Sequence, residues 1–316
     1  MKIIYLDEPT FLPNDFVRRM TALGEFLVYH DRPDPETAIR RLSECDIAIV
    51  EWTRLSAQIL GAVARLHYIT LVTTSYDFVD LTAAAKARIT VAYCPGYSSQ
   101  AVAEHVFALL LAVGRRLFAG DAAVRRGDAI SHAPFLGVGL RGRTMGLVGT
   151  GQTARAVATI AAGFGMTVVG ANRSGAAVPG VEVRPLDEVV ARSDFLPLHV
   201  PLDESTMRIL GPERLGLMKP TAIVINTCRG ELLDQTELVR LLMTGRLAGA
   251  GLDYLAEASA AEIRKLDNVV LTPGIGWYTD ESRWANLDEV YQNITAHLAG
   301  VPRNVLAVPP VQGLGD

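Results

Sequence analysis

The sequence predicts an α/β protein built as two doubly wound parallel-sheet domains, and three observations lead there. At 316 residues the chain is long for one hydrophobic core. Short β-branched runs alternate with amphipathic segments, the pattern of βαβ units. The alternation halts at a long apolar segment and starts again near Thr144.

In the first stretch Ile3 to Leu6, Phe26 to Tyr29, Ile47 to Val50, Ile69 to Val72 and Thr90 to Tyr93 read as strands. Helical stretches such as Asp15 to Leu23 and Ala57 to Ala64 lie between them. After Pro95-Gly96, Ser98 or Ser99 is placed to cap a helix that carries Val102, Val106, Leu109 and Leu110 to about Leu117. This helix is the natural element to cross between domains. Strands then recur at Thr144 to Val148, Thr167 to Val169, Phe195 to Val200, Ala222 to Asn226, Gly249 to Leu252 and Val269 to Leu271. A last helix, roughly Asp280 to Leu298, precedes a tail ending in Pro309-Pro310. Right-handed crossovers make both sheets parallel.

Hydrophobic residues are 49% of the chain, charged residues 20%, and the formal net charge is -4, the profile of a soluble globular protein. No basic tract calls for a nucleic-acid partner. The amino-terminal run ends at Asp7 and is too short for a signal h-region, and no later stretch matches a membrane span. Cys45, Cys94 and Cys228 are scattered without a C-x-x-C pair, so neither a disulfide frame nor a zinc site is expected. A cytoplasmic location is the expectation.

Directly after the strand at Thr144 to Val148 comes Gly149-Thr150-Gly151-Gln152-Thr153-Ala154, then a helical run from Arg155 to Phe164. This is G-x-G-x-x-A between strand and helix, the dinucleotide fingerprint of a Rossmann domain. Gly149 makes the tight turn, Gly151 admits the pyrophosphate, and Ala154 lets helix pack on strand. Gln152 and Thr153 begin the helix whose free N–H groups face the phosphates. The next strand leads into Asn172-Arg173-Ser174, where an NAD site places an acid on the ribose hydroxyls. A neutral Asn172, a guanidinium at Arg173 and a hydroxyl at Ser174 favour NADP(H) over NAD(H).

From Tyr76 to Leu298 the chain resembles the D-2-hydroxyacid dehydrogenases. Tyr76-Asp77-Phe78-Val79-Asp80-Leu81-Thr82, Val102-Ala103-Glu104-His105 and His199-Val200-Pro201-Leu202 carry the resemblance. So do Leu217-Met218-Lys219-Pro220, Asn226-Thr227-Cys228-Arg229-Gly230 and Ala250-Gly251-Leu252-Asp253. The resemblance implies a flavodoxin-like substrate domain, residues 1–97 with 280–316, around a Rossmann cofactor domain, 98–279. It also implies a homodimer built on the long helix near Val106 and the arm after it.

By the same resemblance His199, Val200, Pro201, Thr227 and Cys228 line the cofactor, and Asp253 holds the nicotinamide carboxamide. Thr74, Ser75 and Tyr76 match the loop whose backbone N–H groups hold a substrate carboxylate, with Ser75 where a glycine is usual. Arg229 matches the substrate arginine, and its place after a buried strand suits a guanidinium that forks onto a carboxylate and keto oxygen. A small carboxylate-bearing substrate follows.

The chain departs from the family where the proton chemistry lies. The family's glutamate falls on Ala258, with Glu257 beside it, and its histidine falls on Gly274 of Thr272-Pro273-Gly274-Ile275-Gly276-Trp277-Tyr278. A positioned acid or base contributes a factor of about 10²–10⁴, so keto-acid reduction is expected to be slow. Tyr278 or Tyr76 can supply a phenol, His199 an imidazole, or the reaction needs no enzyme acid, as in hydride delivery to an imine or a conjugated acceptor. The leading expectation is an NADP(H)-dependent oxidoreductase with altered proton chemistry, and Arg229 and Tyr278 are its catalytic candidates. The alternatives are a non-catalytic nucleotide sensor or scaffold, and a lyase or isomerase that holds its cofactor tightly.

Overall fold

The computed structural model describes residues 1–128, 131–256 and 260–306. The chain begins β1 (Lys2–Tyr5), α1 (Asn14–Thr21), β2 (Glu25–Val28), α2 (Pro35–Ser43), β3 (Ile47–Val50), α3 (Ala57–Gly61), β4 (Tyr68–Leu71), α4 (Leu81–Lys86) and β5 (Thr90–Ala92). Two helices follow, α5 (Ser99–Gly114) and α6 (Leu117–Arg126). Next come β6 (Thr144–Val148), α7 (Gln152–Gly163), β7 (Thr167–Ala171), β8 (Glu182–Val183), α8 (Leu186–Arg192), β9 (Phe195–Leu198) and α9 (Pro212–Leu217). The last elements are β10 (Ile223–Asn226), α10 (Gln235–Met243), β11 (Gly249–Leu252), α11 (Ala260–Ile263), β12 (Val269–Leu271) and α12 (Asp280–Leu298). They form two compact units, Met1–Tyr97 with Thr279–Asp316, and Ser98–Tyr278.

The first unit has a parallel sheet of order β2-β1-β3-β4-β5, the doubly wound order of flavodoxin-like folds. Helices cover both faces of such a sheet, so its central strands are apolar throughout: Ile47-Ala48-Ile49-Val50 and Tyr68-Ile69-Thr70-Leu71 are buried at every position. One core gathers Leu42, Leu60, Ile69 and Leu71. The other joins Tyr5, Phe16 and Tyr68 to Leu287, Val290 and Ile294 of α12. A polar seam fixes that last helix. The Asn286 amide donates to the Val72 carbonyl at 3.0 Å, the Asn293 amide to the Tyr93 carbonyl at 2.9 Å, and the Tyr68 hydroxyl to the Asn293 carbonyl at 3.1 Å. Each satisfies a carbonyl that burial would otherwise strand.

The second unit has a seven-stranded sheet of order β12-β11-β10-β9-β6-β7-β8, parallel throughout. Starting from β6 the winding runs one way through β7 and β8 and the other way through β9 to β12. The switch point therefore lies between β6 and β9, where such sheets bind ligands at their carboxyl ends. Val106, Leu109 and Leu110 of α5 pack with Leu147, Ile223 and Ile225 under this sheet.

Several boundaries differ from the sequence expectation for local reasons. The long helix, expected to run to about Leu117 and to cross between domains, stops at Gly114 and packs within the second unit. Arg116 adopts a left-handed conformation, φ 51°, which the α-helix does not tolerate, and α6 starts afresh after it. Ser98 stands at the N-cap of α5, yet its side chain makes no capping bond. Strand β9 ends at Leu198, so His199 and Val200 lie in the following loop rather than in the strand. Strand β8 is two residues long, too short for any alternation to mark it.

Candidate functional site

At the carboxyl end of β6 the chain turns through Gly149, Thr150 and Gly151 into α7. Gly149 has φ +92°, and a Cβ on it would lie 2.3 Å from the His199 carbonyl oxygen and 2.9 Å from Val200 Cγ1. Neither the backbone shape nor the room admits a side chain. Gly151 is the opposite case: a Cβ there would meet nothing within 4 Å, and no side chain caps the helix. The first turn, Gln152 to Ala154, thus starts a helix whose positive end opens onto uncluttered space, which is what a phosphate requires.

The other side of the switch point is the loop after β9. The His199 backbone N–H donates to the Val148 carbonyl at 2.7 Å, tying the two strand ends together. Both His199 ring nitrogens are buried without a hydrogen-bond partner. The residue as a whole keeps partial exposure, but it is the sealed ring that sets its protonation. Burial pulls its pKa down to about 4, so the imidazole is neutral. The Thr227 hydroxyl, on a residue 9% exposed, is also buried and unpartnered. Unpaired buried polar atoms are costly. Beside the open cradle at Gly151, they fit a polar, phosphate-bearing dinucleotide. Val200 is half-buried and Pro201 exposed, and the Thr206 hydroxyl steadies their loop by donating to the Pro201 carbonyl at 2.6 Å.

At the end of β7 the Asn172 amide donates to Thr150 Oγ1 at 3.0 Å and to the Ala176 carbonyl at 2.9 Å. Ser174 Oγ donates to Asn172 Oδ1 at 3.2 Å. Asn172 and Ser174 therefore organise the turn and couple it to the Gly149 loop. Arg173 between them is exposed and, among the described residues, makes no ion pair. Its guanidinium is left for solvent or a ligand.

Arg229 is presented by a turn that Asn226 builds. Asn226, the last residue of β10 and fully buried, donates to the Arg229 carbonyl at 2.8 Å and accepts from the Cys228 N–H at 2.9 Å. The Cys228 thiol donates to the Leu198 carbonyl at 3.2 Å, and burial pushes its pKa up to about 11. It is an inert packing group. A Cβ on Gly230 would lie 2.5 Å from the Ala256 nitrogen, so the chain after β11 passes directly over this turn. Gln235 clamps the two together, donating to the Gly230 carbonyl at 3.3 Å and accepting from the Ala256 N–H at 3.1 Å. The result brings the Arg229 guanidinium over the Tyr254 ring, 5.8 Å from its centroid.

Asp253 is 2% exposed. Its Oδ1 accepts from the Thr272 hydroxyl and from the N–H groups of Gly274 and Ile275 at 3.1 and 3.0 Å, and its Oδ2 accepts from Gly276 N–H at 2.9 Å. His105 Nε2 lies 3.5 Å from Oδ1 and 2.9 Å from Thr272 Oγ1. Burial pushes the pKa of such a carboxyl up, but the bonds from His105, Thr272 and the loop N–H groups outweigh it and hold the pKa below the usual range. The carboxylate thus folds the 272–276 loop. Three of its four donors crowd Oδ1 and one reaches Oδ2, so the carboxylate's first task is to shape this loop. In that loop Gly274 has φ +77°, and a Cβ on it would sit 2.9 Å from Cε1 of Tyr254. Tyr278, 45% exposed, packs edge-on against Trp277 at 5.1 Å between centroids. Ala258 and Glu257 lie outside the described residues.

In the first unit the segment after β4 carries Thr74, Ser75 and Tyr76 at the carboxyl end of the sheet. Thr73 Oγ1 accepts from Ser75 N–H at 2.8 Å, and the Tyr76 ring meets Tyr93 edge-on at 5.9 Å. Ser75 is not among the residues with positive φ, so its backbone makes no demand for glycine. Among the described residues no three His, Cys, Asp or Glu side chains could hold a metal, and no helix is long and apolar enough to cross a membrane.

Residues 107–276, which include the whole of this cradle, match the family described as D-isomer specific 2-hydroxyacid dehydrogenase, NAD binding domain. The chain belongs to that family. Its members are nicotinamide-dependent oxidoreductases, and so is this chain. The glyoxylate reductase of Thermococcus litoralis is 35% identical over 311 residues, 93% of this chain and 94% of that protein. The glycerate dehydrogenase of Methylorubrum extorquens is 30% identical, over 96% of this chain and 98% of that one. Among solved structures an acyclic imino acid reductase in complex with NADPH and D-Arg is 44% identical, with TM-score 0.95 over 97% of this chain and 100% of its own. The D-lactate dehydrogenase from Aquifex aeolicus, complexed with NAD and lactic acid, is 26% identical with TM-score 0.87, over 98% of this chain and 100% of that one.

Within the family frame, three residues of the site carry no mark in the sequence that singles them out. Gln235 reads as an ordinary helix-start residue, Tyr254 as a core aromatic, and His105 as one letter of a motif. Each matters because loops distant in sequence meet there, which no local pattern records.

Proposed function

We propose that this chain is an NADP(H)-dependent imine reductase that converts a small 2-imino carboxylate into the corresponding amino acid. The observation that carries it is at Gly274, where the family's histidine would stand. That residue has a left-handed backbone, and the Tyr254 ring occupies the space its side chain would need. A keto oxygen becomes an alkoxide as hydride arrives and needs a proton from a positioned donor. An iminium nitrogen brings its proton with it, so the same step leaves a neutral amine that solvent protonates afterwards. The 44% identity to an acyclic imino acid reductase complexed with NADPH and D-Arg supports this chemistry.

Bound at the β6–β9 switch point, the dinucleotide would supply the hydride. Gly149, Gly151, Gln152 and Thr153 would cradle its pyrophosphate, with His199, Val200, Pro201, Thr227 and Cys228 along its other side. Arg173 and Ser174 would meet the 2′-phosphate, which is why NADP(H) is preferred. Arg229 would fork onto the substrate carboxylate and orient the C=N bond, and by the family resemblance Thr74, Ser75 and Tyr76 would offer backbone N–H groups to a substrate carboxylate. Tyr278 remains a candidate wall of the pocket. Leu117, Phe118, Val124 and Leu136, between 59% and 85% exposed on α6 and the arm after it, support the homodimer, and we place it in the cytoplasm.

The test is product analysis with NADPH and a 2-keto acid, with and without a large excess of ammonia or a primary amine. Amino acid should form only when amine is present, and hydroxy acid should form about 10²-fold more slowly or less. Brisk amine-independent reduction of glyoxylate, the activity for which several relatives are named, would replace this proposal with ordinary keto-acid reduction.

A further inference from the structure

Tyr254 follows Asp253 directly at the end of β11. A Cβ placed on Gly274 would fall 2.9 Å from its Cε1, 3.0 Å from Cζ and 3.1 Å from Oη. These three atoms form the phenolic end of a rigid ring, which has two torsions with which to move aside. The ring is also bracketed. Asp253 before it is held by four hydrogen bonds, Ala256 after it is bonded to Gln235, and the Arg229 guanidinium lies over its face.

We propose that Tyr254 is a specificity-determining residue: its ring holds the room that a proton-donating side chain at position 274 would require, and so confines the site to substrates whose reacting nitrogen arrives already protonated. This rests on the imine-reductase proposal above. For such a substrate the hydride forms the new C–H bond, the C=N π pair moves to nitrogen, NADPH becomes NADP⁺, and the neutral amine later takes a proton from water. For a keto acid the C=O pair moves to oxygen, and the alkoxide has no donor at 274 to protonate it.

The experiment combines changes at the two positions. In thermal unfolding, Gly274→Ala should lower Tm by several degrees less in a Tyr254→Val background than in the unmodified protein, because the contact is gone although the left-handed backbone remains. Additive losses would overturn the proposal. In NADPH-dependent reduction of a 2-keto acid, Gly274→His with Tyr254→Val should gain about tenfold over the unmodified protein, a fraction of what a fully supported donor supplies. Gly274→His alone, or with the ring kept by Tyr254→Phe, should gain nothing. A gain from Gly274→His alone, or none from the pair, would count against Tyr254, provided calorimetry shows that each variant still binds NADPH. If instead the coupling and the gain both appear while the unmodified protein reduces no imine, the imine-reductase proposal fails and the role of Tyr254 as the block at 274 stands.

Discussion

Gly149 and Gly274 close two turns at the carboxyl edge of the same sheet, and both have left-handed backbones, φ +92° and +77°. What excludes a side chain differs between them. At Gly149 the obstacle is backbone, the His199 carbonyl oxygen at 2.3 Å, and the β6–β9 pairing fixes it in place. At Gly274 the obstacle is a side chain, the Tyr254 ring. The phosphate loop is therefore determined by the fold, whereas the loop that replaces the family's histidine is determined by one substitutable residue. Binding machinery of the first kind persists through changes of chemistry, and specificity of the second kind is where chemistry changes.

The largest expected effect breaks the comparison at its rigid end. Gly149→Ala should cost about 3–5 kcal/mol, since strain and a backbone collision add. Gly274→Ala should cost about 1–3 kcal/mol, with part of it relieved by a smaller residue at 254. Denaturant unfolding of both variants measures the gap, and equal losses would erase the distinction.

A smaller effect concerns the imidazole of His199, the residue whose carbonyl faces Gly149. His199 has a folded pKa of about 4 against 6.5 for the free side chain, so between those values the unfolded chain binds more protons. The stability contributed by neutral His199 is fully present above about pH 6.5 and is lost as pH falls toward 4, at up to about 1.4 kcal/mol per unit. Unfolding free energies measured across that window should fall less steeply in His199→Leu. An unchanged slope would mean that the ring is solvated.

The smallest effect sharpens the cofactor side alone. Arg173 is exposed, so its removal should leave stability within about 0.5 kcal/mol of the unmodified protein. Arg173→Ala should nevertheless weaken NADPH by about 1–2 kcal/mol while sparing NADH, because one charge-assisted contact to the 2′-phosphate is lost. Calorimetric titration with both nucleotides checks it, and equal weakening of the two would place Arg173 elsewhere.

Most of the framework was legible in the residues. The apolar runs located nine of the twelve strands to within a residue at either end; β7 extends two residues further, to Ala171, β9 stops two residues earlier, at Leu198, and the two-residue β8 left no run to read. Buried parallel strands must be apolar along their whole length, so the sequence marks them strongly. Helix ends were less legible: the break at Arg116 depends on a backbone conformation that an arginine seldom adopts. The G-x-G-x-x-A turn was also readable, because a phosphate site needs the absence of side chains and glycine is the only residue that supplies it.

By itself, then, the sequence determined two doubly wound units, a dinucleotide turn, an arginine at a strand end and a glycine in place of the family's histidine. Only the tertiary structure decided what surrounds them. Asp253 turns out to shape the 272–276 loop, His199 to have a sealed and unpartnered ring, Gln235 to clamp two loops, and Tyr254 to fill the space beside Gly274. The physical reason is that residue type follows local backbone and burial demands, which are written along the chain. Which donor meets which acceptor, and which ring fills which gap, depends on segments 20 to about 170 residues apart being brought within contact distance by strand pairing.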